Sequence, residues 1–328
     1  MTLLLKGENN MTNFQVYRKT LVLSGVQFLV DLAILLVFGG LIAGGAFIGI
    51  AAGNVIVGLI VGLVLAIIAG ILGSYLFSNR VKAAHIAMIT KGVNENQLPD
   101  HVVKEGFAEV RGRFASLTAF FFVTNAIKGI FRQIGRGINR IGTAIGGDAG
   151  NSITSAIDSA IQILIGYLCD CCLGWVIFRK DENTAKAACE GAVIFFKHGK
   201  TLIRNIGRIF GMGFLSLLLV GGLLFAAFFG IFSLFPAAFA TLSQEVAKAL
   251  ADGGTPEPID PVVFTVIAAA VGAVILWSTL HSVLVRPFIL TGVLRNFMES
   301  GKADMPKESD FEAIAAKSPR FRKLQETI

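Results

Sequence analysis

Charge is what this chain has least of. Of its 328 residues, 16% are Asp, Glu, Lys or Arg, while 54% are apolar before glycine is counted, and the mean hydropathy is +0.70. A soluble domain carries about 25% charged residues. The deficit excludes a disordered chain, a coiled coil and most soluble enzymes. Cysteine is limited to four residues, Cys169, Cys171, Cys172 and Cys189, too few and too clustered for a disulfide-stapled secreted domain. No His-Glu-x-x-His, Walker loop or nucleophile elbow occurs, and Gly146-Gly147-Asp148-Ala149-Gly150 follows no strand, so it reads as a loop rather than a phosphate cradle. The expectation is no enzymatic site, no cofactor and no metal site. Cys169-Asp170-Cys171-Cys172 lacks the spacing of zinc ligands and reads as reduced thiols or a site of juxtamembrane S-acylation.

What is present in quantity is uncharged length. Leu32 to Asn79 runs 48 residues without Asp, Glu, Lys, Arg or His, Ile209 to Gln244 runs 36, and Val262 to Leu280 runs 19. One helical crossing of the hydrocarbon core takes about 20 residues. The first run suits two crossings, and in lipid a helix satisfies its own backbone groups. The fold class is therefore all-α, a polytopic integral membrane protein. Expected spans are 20–44, 47–77, 114–145, 153–178, 209–243 and 262–290, with Gly39-Gly40 and Gly44-Gly45 loosening the chain between the first two. Segments 114–145 and 153–178 either both cross, giving six spans, or both lie re-entrant or interfacial, leaving four. Residues 1–19 and 295–328 read as N- and C-terminal cytoplasmic segments around one membrane domain, 20–294.

Orientation follows the cations. Arg80 to Arg113 holds six Lys/Arg, and Arg179 to Arg208 holds seven, whereas Gln244 to Pro261 holds one Lys and four acids. Basic loops stay cytoplasmic, so both termini are expected inside. The formal net charge of +7 belongs to these loops and speaks for a membrane surface, not for nucleic acid. The first ten residues show no cleavage-like Ala-x-Ala, and Met11 is an alternative start.

Lys128, Arg132, Arg136 and Arg140 recur every four residues and form one stripe on a helix. Ile127, Phe131, Ile134, Ile138, Ile141 and Ile145 form an opposed apolar stripe. Three readings fit: an in-plane helix on anionic lipid headgroups, a solvated face packed on a neighbour, or the basic wall of a polar cavity. Gly45, Gly49 and Gly53 are four apart, as are Gly58 and Gly62. Small residues at that spacing let helices approach closely in lipid, either within the first hairpin or in a homo-oligomer.

Ionisable residues at membrane depth are functional candidates by default. Here they are Asp31, Asp158, Asp170, His281 and Arg286, with Gln27, Asn54, Asn125 and Gln162 as neutral neighbours. Arg286 precedes Pro287 near the end of a span, where snorkelling explains it, and His281 reads first as a packing histidine. Asp31 is flanked by apolar residues and must pair with a cation or face a wet cavity.

From the cysteine cluster onward the order of elements resembles the C-terminal half of the choline transporter-like family. The features are the helix end Cys169–Trp175, the basic stretch Lys197-His198-Gly199-Lys200 to Arg204-Asn205, and a last span closing on Leu294-Arg295-Asn296-Phe297-Met298-Glu299. Asn79–Ala87, after the first hairpin, resembles that family's basic helix, so the likeness covers about 77–300. The chain lacks the family's large outer domain. The resemblance implies transport of an organic cation, choline-like, held by aromatic faces beside a carboxylate. Trp175 and Trp277 are the two tryptophans available. The leading expectation is a transporter or channel lined by Asp31, Asp158, Asp170, Trp175, Trp277 and His281. The rival is a scaffold assembling through its glycine faces and basic helix, or a lipid-interacting protein.

Overall fold

The computed structural model describes residues 11–113, 125–130, 150–203, 206–250, 260–316 and 318–326. Among these, all regular structure is helical. The elements are α1 (Asn13–Ala51), α2 (Val55–Gly73), α3 (Asn79–Glu95), α4 (Val102–Arg113), α5 (Gly150–Phe178), α6 (Thr184–Ile203), α7 (Ile206–Ser216), α8 (Gly222–Ser233), α9 (Pro236–Leu250), α10 (Pro261–Leu280), α11 (Arg286–Ala303), α12 (Glu308–Ala315) and α13 (Pro319–Gln325). Three five-residue π-helical turns, Ser74–Ser78, Leu217–Gly221 and His281–Val285, join α2 to α3, α7 to α8 and α10 to α11.

Four helices are long and apolar enough to cross a membrane: Asn13–Ala51, Val55–Glu95, Gly211–Ser233 and Pro261–Ala303. The two further crossings of the six-span expectation are not among them. Of 114–145 only 125–130 is described. Of α5, the apolar part is the short stretch Gln162–Phe178.

The chain divides into two compact units, each discontinuous in sequence, rather than the single domain expected over 20–294. The first comprises Met1–Ser24, Arg80–Ile209 and Pro287–Ile328, and the second Gly25–Asn79 and Phe210–Arg286.

The second unit is two hairpins. In the first, α1 runs unbroken through Gly39, Gly40, Gly44 and Gly45, and the turn falls later, at 52–54. Gly53 adopts φ +76°, a left-handed conformation costly to any residue with a Cβ. Asn54 then caps α2, its side chain accepting from the Val57 amide at 3.1 Å. Below the turn the helices meet backbone to backbone. A Cβ on Gly49 would lie 2.9 Å from the Gly58 Cα, and one on Gly62 2.6 Å from the Leu41 carbonyl oxygen. In the second hairpin Asp260 caps α10, accepting from the Val262 amide at 2.8 Å, with Pro261 as the first helical residue. The Phe228 ring fills the space over Gly272, and Phe239 packs on Phe232 at 4.8 Å between centroids. Outward-facing residues such as Ile68, Leu72 and Ile267 are 50–54% exposed.

The first unit is built the other way round, with its apolar side chains inside. Trp175 of α5 is fully buried, edge-on to Phe297 of α11 at 6.3 Å, with Ile86, Ile194, Leu294 and Met298 also in the interior. The segment expected as a tail is part of this unit. Phe311, Ile314, Phe321 and Leu324 of α12 and α13 are buried, and Lys197 of α6 pairs with Asp304 at 2.8 Å and Asp310 at 3.1 Å.

Candidate functional site

Asp31 was read as lying near the middle of a span ending at 44. Because α1 continues to Ala51, the apolar run after Asp31 is 32–51. Twenty residues at about 1.5 Å each match a hydrocarbon core of about 30 Å. Asp31 therefore stands at one end of the apolar run, one turn in from Gln27. The second helix of the hairpin ends at the π turn Ser74–Ser78, which brings Ser78 alongside.

The three side chains form one cluster. The Gln27 amide nitrogen Nε2 donates to both Asp31 carboxylate oxygens at 2.9 Å and to Ser78 Oγ at 2.7 Å. Gln27 is buried, Asp31 is half-buried, and the Gln27 Oε1 has no hydrogen-bond partner. A carboxylate at the end of a long uncharged stretch thus has a neutral amide as its donor. An amide offers it no charge, so a cation arriving at Asp31 improves on the existing partner. Gln27 was legible in the sequence as a polar neighbour. Ser78 was missed, and its signal was a serine one residue before the end of the 48-residue uncharged run.

The other candidates lie apart from this cluster. Asp170 is buried in the first unit, its Oδ1 2.8 Å from the Lys82 ammonium. Trp175 is sealed in the same interior, its indole Nε1 donating to Glu190 Oε2 at 2.9 Å. The Arg179 Nε donates to the same oxygen at 3.1 Å, and Arg179 Nη2 reaches Glu182 at 2.9 Å. Glu190 and Lys82 were not singled out from sequence, although an acid inside Ala187-Ala188-Cys189-Glu190-Gly191-Ala192 is a visible anomaly. The Asp158 side chain lies outside the described residues, as do Arg132, Arg136 and Arg140, while Lys128 is exposed.

Trp277 and His281 sit together in the second hairpin, ring centroids 5.4 Å apart. Trp277 Nε1 donates to Ser216 Oγ at 3.3 Å, and Ser216 in turn donates to the Gly213 carbonyl at 2.8 Å. His281 Nε2 is shielded from solvent and has no hydrogen-bond partner.

Of the glycine candidates, Gly45, Gly49, Gly58 and Gly62 are consumed in closing the first hairpin, and Gly53 makes its turn. Gly40 and Gly44 differ, since a Cβ on either would meet nothing within 4 Å. They border an open apolar groove of about 480 Å³ shared with Ile48, Val57, Val61 and Leu65.

All four cysteines are buried, and none of them is in a disulfide. Burial pushes the Cys172 thiol well up, with Cys169, Cys171 and Cys189 adding to it, and pushes Cys189 up to about 12. Shielded, protonated thiols are poor nucleophiles, and side chains 0–3% exposed are closed to acylation in this fold. Among the described residues no three His, Cys, Asp or Glu side chains are placed to hold a metal ion. Comparison with family models, with curated proteins and with solved structures finds no match.

Proposed function

We propose that this protein is a multi-pass membrane transporter or channel for a small solute of the organic-cation class, with Asp31 as the residue that receives it. The observation that carries the reading is the Gln27–Asp31–Ser78 cluster: a half-buried carboxylate at the end of an apolar run, held by an amide rather than by a counter-ion. The resemblance to the choline transporter-like family supports the same substrate class. In this reading four helices cross, the basic stretches 80–113 and 179–208 and both termini face the cytoplasm, and 244–261 faces outside. Asp170 and Trp175 have structural roles, because each is closed inside packed protein.

The test is choline flux into proteoliposomes. Asp31→Asn removes the charge and keeps the hydrogen-bonding shape, and flux falls by about tenfold or more, the scale of a lost charge-assisted contact. Unchanged flux with intact assembly sinks the reading and favours the second one, a non-catalytic scaffold. That reading is supported by Gly40 and Gly44, which leave a groove open on the first hairpin where a homo-oligomer contact would form. The basic stripe from Lys128 to Arg140 is proposed to contact anionic headgroups. Reversing the charge of Arg132 and Arg136 then lowers binding to anionic vesicles, and unaltered binding removes that contact.

A further inference from the structure

The second hairpin carries a helix of a different kind between its two crossings. Gly211–Ser233 is 23 residues long, and at about 1.5 Å each it completes a hydrocarbon core of about 30 Å by its last turn. A tight turn follows, in which the Leu234 and Phe235 amides donate to the Ile231 and Phe232 carbonyls at 3.1 and 3.0 Å. Then α9 starts at once with Pro236, so its first residues stand at the boundary of the apolar layer. Near its start the Phe239 ring lies 4.8 Å from Phe232 and 6.4 Å from Phe264, centroid to centroid. Phe239 therefore ties α9 to the end of α8 and the beginning of α10 at one level.

Residues four apart divide α9 into three strips. Phe239, Ser243 and Ala247 form the covered strip: Phe239 is half-buried, and Ser243 and Ala247 are 1% and 6% exposed. The Ser243 hydroxyl is satisfied inside the helix, donating to the Ala240 carbonyl at 2.8 Å. Leu234, Ala238 and Leu242, with Phe235 beside them, form an apolar strip that is open, Leu234 being 74%, Phe235 58% and Leu242 51% exposed. Thr241, Gln244, Glu245 and Lys248 form the third strip, polar and exposed. At about 100° per residue the three lie roughly 90–150° apart around the axis. Glu245 and Lys248 pair at 2.9 Å, so the polar strip carries no net charge.

Three strips call for three media. A helix standing out in water would leave Leu234, Phe235 and Leu242 without apolar contact. A helix turned back along the hairpin would carry Glu245 about 14 Å into hydrocarbon, where an ionisable side chain is costly. Only a helix in the plane of the surface gives the hairpin, the acyl chains and water one strip each. We propose that α9 is such an in-plane helix and that its open apolar strip docks on a zwitterionic phospholipid surface, with Leu234, Phe235 and Leu242 among the upper acyl chains and Glu245 and Lys248 in water. Helices of this kind sink their apolar face about 5–10 Å below the headgroups. The apolar strip continues the lipid-facing residues of α8 and α10, such as Ile231, Val262 and Val263, which are 49–63% exposed at the same rim. With its one ion pair closed, the polar strip gives anionic headgroups nothing to prefer, unlike the basic stripe from Lys128 to Arg140. This arrangement needs a membrane but not transport, and on the orientation proposed above the surface is the outer one.

The test uses the full chain in phosphatidylcholine vesicles, carrying Leu242→Cys or Lys248→Cys with a small fluorophore on the new thiol. Both positions are exposed, so the covered strip stays intact. The four native thiols are 0–3% exposed, and unsubstituted protein taken through the same labelling supplies the background. A nitroxide on the upper acyl chain quenches the label at 242 about threefold more than the label at 248, and iodide on both sides of the membrane does the reverse, as faces on either side of the headgroup boundary require. Added phosphatidylserine changes neither result. Equal quenching by iodide at the two positions places α9 in water and overturns the proposal. Equal quenching by the nitroxide, with iodide excluded from both, places α9 inside the core and overturns it too. Protection of 242 from both quenchers means that protein covers the strip, a second copy of the chain included, with the same consequence. Stronger nitroxide quenching at 242 only when phosphatidylserine is present overturns the zwitterionic partner. No flux measurement enters these outcomes, so failure of the transport reading and failure of the in-plane helix are told apart.

Discussion

Set Ile86 beside Ile68. The first belongs to the unit formed by Arg80–Ile209 and its partners in sequence and is 1% exposed, and the second belongs to the unit containing Gly25–Asn79 and is 50% exposed. Both lie on the continuous stretch Val55–Glu95, yet they answer to different solvents. In the first unit cohesion comes from removing Trp175, Phe297 and their neighbours from water, with ion pairs at the margins. In the second unit lipid is as apolar as the side chains, so burial supplies no comparable drive and close backbone approach takes its place. Glycine is interior in the second unit because it lets backbones meet, whereas tryptophan is interior in the first because its ring is removed from water.

The sharpest break of that contrast is Gly58→Val. Its Cβ would meet the Gly45 carbonyl oxygen and the Gly49 Cα, both main-chain atoms that cannot rotate away. Overpacking a core costs about 1–3 kcal/mol where side chains can yield, and here only helix separation relieves it. The expected outcome is loss of a monodisperse peak in detergent, while Gly44→Val, with open space around it, keeps that peak. Equal behaviour of the two variants would show that the hairpin is not closed by glycine contact.

In the first unit the corresponding break is Trp175→Ala. It deletes the largest fully buried side chain and takes one donor from Glu190, for a loss of about 3–5 kcal/mol read from denaturant unfolding. A smaller effect sharpens the comparison within one helix. Ile86→Ala is expected to cost about 2–5 kcal/mol as a core truncation, whereas Ile68→Ala in detergent changes the midpoint within replicate error.

Alkaline pH separates the units by titration. Burial raises the thiols of Cys172 and Cys189, the latter to about 12. A raised thiol holds its proton in the folded chain, so its contribution is complete below the unfolded thiol value of about 8.5 and is lost as pH climbs above it. Unfolding of the first unit should become easier from there upward, and maleimide labelling at neutral pH should be slow until denaturant is added. Rapid labelling of the native protein would contradict the burial of the cluster.

Much of the second unit was legible because lipid imposes length: the uncharged runs announced α1, α2, α8 and α10, and Asp31 and Gln27 stood out against them. The turn was misplaced because a membrane helix tolerates Gly39, Gly40, Gly44 and Gly45, whereas a positive φ is needed only at Gly53. The first unit was less legible. Gln162–Phe178 is an apolar stretch, and composition alone does not distinguish burial in protein from burial in lipid. Its polar partners come from other helices: Lys82 for Asp170 from α3, far off in sequence, and Glu190 for Trp175 from α6, the next helix along. The segment 295–328 read as a tail because its apolar residues, Phe311, Ile314, Phe321 and Leu324, are spaced among charges. That spacing is what one buried face on two short helices requires.

The smallest effect belongs to the charged margin of the first unit. Lys197 reaches Asp304 and Asp310 from the surface. Its amine is raised first by the hydrogen bond to Asp304, and the Asp310 carboxyl is lowered first by the Lys307 backbone amide and then by Lys197. A raised amine contributes fully below its unfolded value of about 10.4 and loses that contribution above it, and a lowered carboxyl contributes above about 3.9 and loses it below. Between those limits the triad is charged and its effect does not vary with pH. Surface pairs of this kind are weak and screened by salt. Lys197→Ala should therefore lower the unfolding midpoint slightly at low ionic strength and not at high. A large, salt-independent drop would mean that α12 is held by this lysine rather than by Phe311 and Ile314, and that the first unit also depends on polar contact where apolar burial was assigned the work.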